Sequence, residues 1–153
     1  MPLPGARAAL LALLLVGAAA SAAPPPLAAQ TARDSAVRAL ARDSTLRAAE
    51  RAAREWLWLL DEARYDSAWS VVAPAMRSVV GYREWTTSLT QLRTALPSVL
   101  RRELLRAERS VPLFGGNSVI LSFAVGRGSM REIVVLVRAP ERWLIGGYGI
   151  LLY

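Results

Sequence analysis

The spacing of apolar residues changes once along this chain, and that change limits the fold more than any other feature. From Thr31 to Ala107 apolar residues recur at intervals of three and four, which is typical of the buried side of a helix. After Gly115-Gly116 the interval becomes two, which is typical of one face of a strand. Because helices come first and strands follow, we expect an α+β domain with its helices packed on a curved antiparallel sheet.

The first helical segment runs from Thr31 to Ala63, is rich in good helix formers and contains neither Gly nor Pro. The pair Asp43-Ser44 can cap a helix N-terminus, so we expect the main helix to begin near Ser44. Residues 30–44 are then a linker or an extension of that helix. The expected buried stripe consists of Leu46, Ala49, Ala53, Trp56, Leu57 and Leu60.

Two shorter helices are expected before the change of spacing. One covers Tyr65 to Ala73 and is ended or kinked by Pro74, because proline lacks an amide donor. The other covers Tyr82 to Ala95. The segment from Pro97 to Arg109 also has helical spacing, and periodicity alone predicts a helix there.

Three strands are expected in the C-terminal third: 118–125, 130–138 and 142–152. The turns between them are short, at 126–129 and 139–141, so neighbouring strands must be antiparallel. The run from Ile133 to Val137 is apolar throughout, which indicates burial on both faces of the sheet.

The N-terminus has the layout of a secretory signal peptide. Arg7 precedes an apolar run from Ala8 to Ala20, and small residues follow. The run is shorter than the roughly 20 residues that span a bilayer, so an uncleaved anchor is the less favoured alternative, and with it any membrane attachment. We predict a leader over 1–29, a single domain over 45–153, and a periplasmic or secreted location; cleavage after Ala22 is a second possibility.

Composition excludes several classes of function. The net charge of +7 comes from 19 arginines interleaved with acids, which argues against a nucleic-acid partner for an exported protein. The chain has no histidine and no cysteine, so the commonest metal ligand and the usual proton shuttle are missing. We therefore expect no metal site and no cofactor.

Scattered aromatic residues and the C-terminal hairpin resemble a known family. The matching residues are Trp56, Leu57, Leu59, Leu60, Asp61, Tyr65, Asp66, Ser67, Trp69, Trp85, Arg93, Arg101 or Arg102, Glu132–Leu136 and Trp143–Tyr148. Over about residues 48–152 the chain is similar to a bacterial secreted family known as domain of unknown function 4019. The resemblance implies the cone-shaped fold of nuclear-transport-factor-2-like and cystatin-like domains, with about four strands. It also implies that Val99 to Val111 is the first strand, and we prefer this to the helix predicted by periodicity.

Candidate acid–base residues are few: Asp61, Glu132, Tyr65 and Tyr148. Glu132 lies in an otherwise apolar strand, and a carboxylate that faces inward must be paired, because an unpaired buried charge is costly. Arg93, Arg101 or Arg102 could pair with Glu132. We favour a structural ion pair over catalysis at Glu132, and a capping or solvated role for Asp61.

The leading functional hypothesis is a non-enzymatic binding module for a small apolar ligand or a protein partner. The predicted ligand-binding residues are Trp69, Trp85, Arg93, Glu132 and Tyr148, although aromatic residues at such spacings are more often core. One alternative is a pocket enzyme of lyase or isomerase type that uses Glu132 or Asp61. Another is a homodimer paired sheet to sheet.

Overall fold

The computed structural model of the protein describes residues 26–94, 101–113, 116–126 and 130–152. Five helices precede a four-stranded antiparallel sheet, so the predicted α+β class is confirmed. The helices are α1 Pro26–Arg42, α2 Ser44–Asp61, α3 Tyr65–Ser70, α4 Pro74–Arg77 and α5 Tyr82–Thr94. The strands are β1 Arg102–Leu113, β2 Gly116–Val125, β3 Met130–Arg138 and β4 Trp143–Leu152, in the spatial order β1-β2-β3-β4.

Helix α2 buries the side that the sequence predicts. All six residues of the predicted stripe are buried, and Asp43 caps the helix as expected. Its Oδ1 accepts hydrogen bonds from the backbone amides of Thr45 at 2.8 Å and Leu46 at 3.3 Å. The Asp43 side chain thus satisfies two of the amides that a helix start leaves unpaired.

Two helix boundaries differ from the prediction. Residues 26–42 form a separate helix, α1, whose buried Ala36 belongs to the core, whereas the sequence suggested a linker or a continuous extension. The Arg47 side chain donates to the carbonyls of Leu40 and Ala41 and so ends α1. Pro74 begins α4 instead of ending α3, because its missing amide costs nothing at a first helical position.

Strand β1 confirms the expectation from the family resemblance for its described part, and the helix predicted from periodicity is wrong there. The reason is a β-bulge between Leu104 and Arg106, which inserts one extra residue. Leu104 and Ala107 therefore face the core together although they lie three residues apart, which imitates helical spacing. Residues 95–100, where that helix or strand was expected to begin, lie outside the described residues.

The sheet has an inner face, which packs against the helices, and an outer face. Alternate residues of β2 and β3 enter the inner core, among them Leu121, Phe123, Val134 and Leu136. The outer face carries Ile120, Ile133, Val135, Val137 and Leu144 in the registers between. Val135 and Val137 are also buried, so the prediction of burial on both faces is confirmed for this stretch.

The predicted leader falls largely on residues 1–25, which lie outside the described part of the chain, as does most of the 126–129 turn. Among the described helices, none combines the length and hydropathy needed to cross a membrane.

Candidate functional site

A polar cluster lies on the inner face of the sheet and consists of Asp61, Arg93, Arg102, Glu132 and Tyr148. Five elements supply its members: α2, α5, β1, β3 and β4. The register of β3 places Glu132 between Phe123 on β2 and Ile150 on β4, both of which face the core. The Glu132 side chain is fully buried, which confirms that this carboxylate points inward.

Both oxygens of Glu132 are occupied by donors. Oε1 accepts a hydrogen bond from the Tyr148 hydroxyl at 2.7 Å and from Arg93 Nη1 and Arg102 Nη2 at 3.3 Å each. Oε2 accepts from Arg102 Nε. The predicted ion pairing of Glu132 is confirmed, with Arg93 and Arg102 as the partners, whereas Arg101 is exposed.

The same two arginines also bind Asp61. Arg102 Nη1 lies 2.5 Å from Asp61 Oδ2 and Arg102 Nη2 lies 2.8 Å from Oδ1, which is a bidentate contact. Arg93 Nη2 pairs with Asp61 Oδ1. Each guanidinium therefore bridges the two carboxylates, and the predicted solvated or capping role of Asp61 is wrong.

Charge and proton positions in the cluster follow from these contacts. Two arginines balance two carboxylates, so the cluster is neutral overall. Burial opposes the charge of Arg102, but hydrogen bonds to Asp61 and Glu132 outweigh it and raise the pKa of Arg102 above its ordinary value. Burial, together with the charge and hydrogen bond of Glu132, raises the pKa of Tyr148 well above 10. Tyr148 therefore keeps its proton and donates a hydrogen bond to Glu132.

Exposure decreases from one side of the cluster to the other. The side chain of Asp61 is 28% exposed, those of Arg93 and Arg102 are 10% and 8% exposed, and Glu132 is not exposed at all. Asp61 is the last residue of α2, where a negative charge opposes the helix dipole. The position of Asp61 at the end of α2 is therefore explained by its ion pairs with the two arginines and not by stabilisation of the helix.

A bulge in β4 brings Tyr148 to the cluster. Gly146 is the extra residue between the Val135–Gly147 and Leu136–Ile145 pairs, so Ile145 and Tyr148 both face inward. The Trp56 ring packs edge-on against the Tyr148 ring with centroids 5.2 Å apart.

The remaining predicted ligand residues form a second group. Trp69 packs against Trp85 at 5.0 Å and against Tyr82 at 5.7 Å between ring centroids. Trp85 is buried, Trp69 is half-buried, and Tyr82 is 40% exposed and donates to Asp66. We call Trp69, Tyr82 and Trp85 the aromatic cluster; it lies at the edge of the core, with Tyr82 exposed and Trp85 buried. Trp85 and Arg93 both lie on α5.

The structure brings three of the five predicted ligand-binding residues to one place, namely Arg93, Glu132 and Tyr148. Sequence reasoning named Arg102 only as one of several possible partners, and it missed Tyr82. Tyr65, a nominee for acid–base chemistry, is partly buried and packs against the core instead.

An open groove also lies at the junction of α1 and α2, away from every predicted site residue. Its volume is about 590 Å³. The residues that line it are Val37, Leu40, Ala41, Ser44, Arg47, Glu50 and Arg51. In the described ranges, no group of three acidic side chains is arranged to hold a metal ion, there or elsewhere.

Residues 52–148 match the family described as protein of unknown function, DUF4019. The chain belongs to this family. The match spans all five members of the polar cluster and the whole aromatic cluster, while α1 and the first turns of α2 lie before it. Comparison with curated proteins and with solved structures gave no match.

Proposed function

We propose that this DUF4019 protein is an exported, non-enzymatic module that binds a small molecule at the Asp61 side of the polar cluster. The observation that carries the proposal is the gradient of exposure across that cluster. Two guanidinium groups are held almost out of solvent, and the most exposed group that covers them is a single carboxylate. Arginine is the residue used most often where a carboxylate or phosphate is recognised by planar, charge-assisted hydrogen bonds.

Binding is favoured over catalysis because of the state of Glu132. A general base needs a free lone pair within reach of the substrate and a pKa near the working pH. Here Arg102, Arg93 and Tyr148 already donate to the carboxylate of Glu132, which is fully buried. A lyase or isomerase that uses Glu132 or Asp61 would first have to take one of them out of this network.

Export is supported by the sequence of the leader, with Arg7 before the apolar run and small residues before Gln30. The order of helices followed by an antiparallel meander supports a cone-shaped fold of the nuclear-transport-factor-2-like or cystatin-like type. In that fold the region between the helices and the inner face of the sheet is where ligands are expected.

Native mass spectrometry tests this proposal directly. The full-length protein is expressed with its own leader and recovered from the periplasm. We expect the mass of a chain that begins at Gln30, together with a bound small molecule that the Arg102→Met variant does not retain. Recovery of the intact leader in the membrane fraction, or a wild-type protein that stays empty after incubation with a periplasmic extract, would contradict it.

The matched variant Glu132→Gln addresses the enzyme alternative, once a ligand is in hand. If Glu132→Gln keeps its affinity for the ligand and loses a chemical conversion that the wild type performs, the enzyme reading replaces the binding module. If neither protein converts the ligand, the binding module stands.

A homodimer is the second candidate, and the outer face of the sheet favours it. Every buried residue of the described helices belongs to the inner core. The outer face of the sheet carries Ile120, Ile133 and Leu144. Glu103 and Glu108 lie along its β1 side and are already paired with Arg33 and Arg106, so this edge presents no excess charge to a second copy.

The area of the outer face is compatible with such a pair. A face four strands wide and nine residues long covers roughly 600 Å². Two such faces approach the lower end of the roughly 1,200–2,000 Å² that stable interfaces bury. Light scattering should then give twice the monomer mass, and Ile133→Glu should restore the monomer; a wild-type monomer at every concentration would rule this candidate out.

A further inference from the structure

We propose that Arg93 and Arg102 form a receptor for the carboxylate group of a ligand, and that Asp61 is an internal occupant that the ligand displaces. This inference rests on the proposed binding function and names the chemical class of the ligand. The expected ligand is a molecule with a single carboxylate group.

The guanidinium plane of Arg102 is held in place from the buried side. Its Nε and Nη2 atoms bind Glu132, and its Nη1 and Nη2 atoms bind Asp61. Glu132 thus fixes the Nε–Nη2 edge of the guanidinium, and the adjacent Nη1–Nη2 edge presents two N–H groups side by side. That edge matches the two oxygens of a carboxylate, which is why arginine is used where planar, bidentate recognition is needed.

The balance of charge selects a carboxylate over a phosphate. Without Asp61, the two arginines and Glu132 leave one positive charge. One monoanionic carboxylate restores neutrality, whereas a phosphate dianion would leave a negative charge in a nearly buried site, which is unfavourable. The planar shape of the carboxylate is also the one that Asp61 already presents to Arg102.

Asp61 is the carboxylate of the cluster that a ligand carboxylate can replace. It is the most exposed charged side chain of the cluster, and its place at the end of α2 is unfavourable for the helix. Glu132, by contrast, is enclosed and receives the Tyr148 hydroxyl as an additional donor. A carboxylate that arrives from solvent therefore meets Asp61 first.

The test uses the variant Asp61→Ala in the otherwise complete mature chain, with formate as the probe because it has the size of the missing carboxylate. Formate is titrated at constant ionic strength while the melting temperature and the NMR signals of the arginine side chains are followed. We expect formate to raise the melting temperature of Asp61→Ala and to bind it at least about tenfold more tightly than the wild type, whose site is occupied. Phosphate at the same concentration should have a smaller effect.

Two variants control the experiment. Glu62→Ala removes the neighbouring exposed carboxylate, and it should respond to formate no more than the wild type does. Asp61→Ala combined with Arg93→Gln should lose the response. If Asp61→Ala is unfolded, formate-dependent folding supports the receptor, and the absence of any formate response overturns it.

The carboxylate receptor and the proposed binding function can fail independently of each other. A wild-type protein that carries a bound molecule without an acid group would overturn the carboxylate receptor and leave the binding module in place. Equal responses of Asp61→Ala to phosphate and formate would also overturn it, because they would indicate a nonspecific cationic patch. A formate response in Asp61→Ala supports the receptor even where the wild type is recovered empty.

Discussion

Two regions of this molecule use the same chemical groups in different surroundings. In the polar cluster, arginines and carboxylates meet on the inner face of the sheet with side chains at most 28% exposed. Along α1 and β1, Arg33 pairs with Glu103 at 2.8 Å and Arg109 pairs with Asp43 at 3.0 Å, in side chains that are 26–54% exposed. We call this second region the α1–β1 seam.

The two regions differ in how much stability is lost when one partner of an ion pair is removed. In the seam, water replaces a missing partner, and exposed ion pairs contribute about 0–1 kcal/mol. In the cluster no solvent can replace Glu132, so its removal leaves one buried positive charge without compensation. The cluster can therefore hold five elements together, whereas the seam only orients α1 along the edge strand β1.

The largest expected effect is that of Glu132→Ala. We expect a loss of about 3–5 kcal/mol in the free energy of unfolding, because two arginines then share only Asp61. Urea unfolding of the protein measures it, with an unchanged slope as the sign that the native fold persists. Glu108→Ala is the matched control, since that glutamate pairs with Arg106 at the surface, and it should change stability by no more than about 0.5 kcal/mol. Equal losses in the two variants would erase the distinction between the regions.

The position of Glu132 could be predicted from the sequence, but the identity of its partners could not. Alternation along β3 puts Glu132, Val134 and Leu136 on one face, and the apolar neighbours mark that face as the core. Which of Arg101 and Arg102 faces inward depends on the register of β1. That register is set by pairing with β2, which leaves no mark in the local spacing, and by a bulge, whose spacing of three imitates a helix.

Long-range contacts also explain the other differences between expectation and structure. The helical stripe of α2 is a local pattern, and all of it was predicted. The start of α2 at the Asp43 cap was predicted, whereas the contact of Asp43 with Arg109, 66 residues away, was not. The inward position of Tyr148 depends on the bulge at Gly146. Local periodicity contains no information about either contact.

A smaller effect is expected for Tyr148→Phe, which removes one of the hydrogen bonds to Glu132 and keeps both arginines. Hydrogen bonds to charged groups contribute about 1.5–3 kcal/mol, so we expect a loss in that range. Denaturant unfolding at neutral pH measures it. A loss as large as that of Glu132→Ala would mean that the tyrosine, and not the ion pairs, holds the cluster together.

The same variant has a signature at alkaline pH. Because the pKa of Tyr148 is raised in the folded protein, its contribution is complete below pH 10, the ordinary value, and is lost as the pH rises above it. The chain contains no lysine and no cysteine, so tyrosines dominate titration in this range. Tyr148→Phe should lessen the fall in stability above pH 10, whereas Tyr82→Phe, whose pKa is raised at an exposed site, should lessen it only slightly.

The smallest effect is expected in the seam, at Asp43, where two substitutions separate the cap from the ion pair. Asp43→Asn keeps an oxygen that can accept from Thr45 and Leu46, whereas Asp43→Ala removes it. We expect Asp43→Ala to lower the melting temperature by less than Tyr148→Phe does, and Asp43→Asn to lower it by less again. The hydrogen bond to Arg109 lowers the pKa of Asp43, so the contribution of this charge is present above pH 3.8 and lost as the pH falls below it. Asp43→Asn should therefore be less sensitive to acid than the wild type. If Asp43→Asn is instead as destabilised as Asp43→Ala, the exposed ion pair with Arg109 contributes more to stability than the cap does. Burial alone would then not explain the difference between the cluster and the seam.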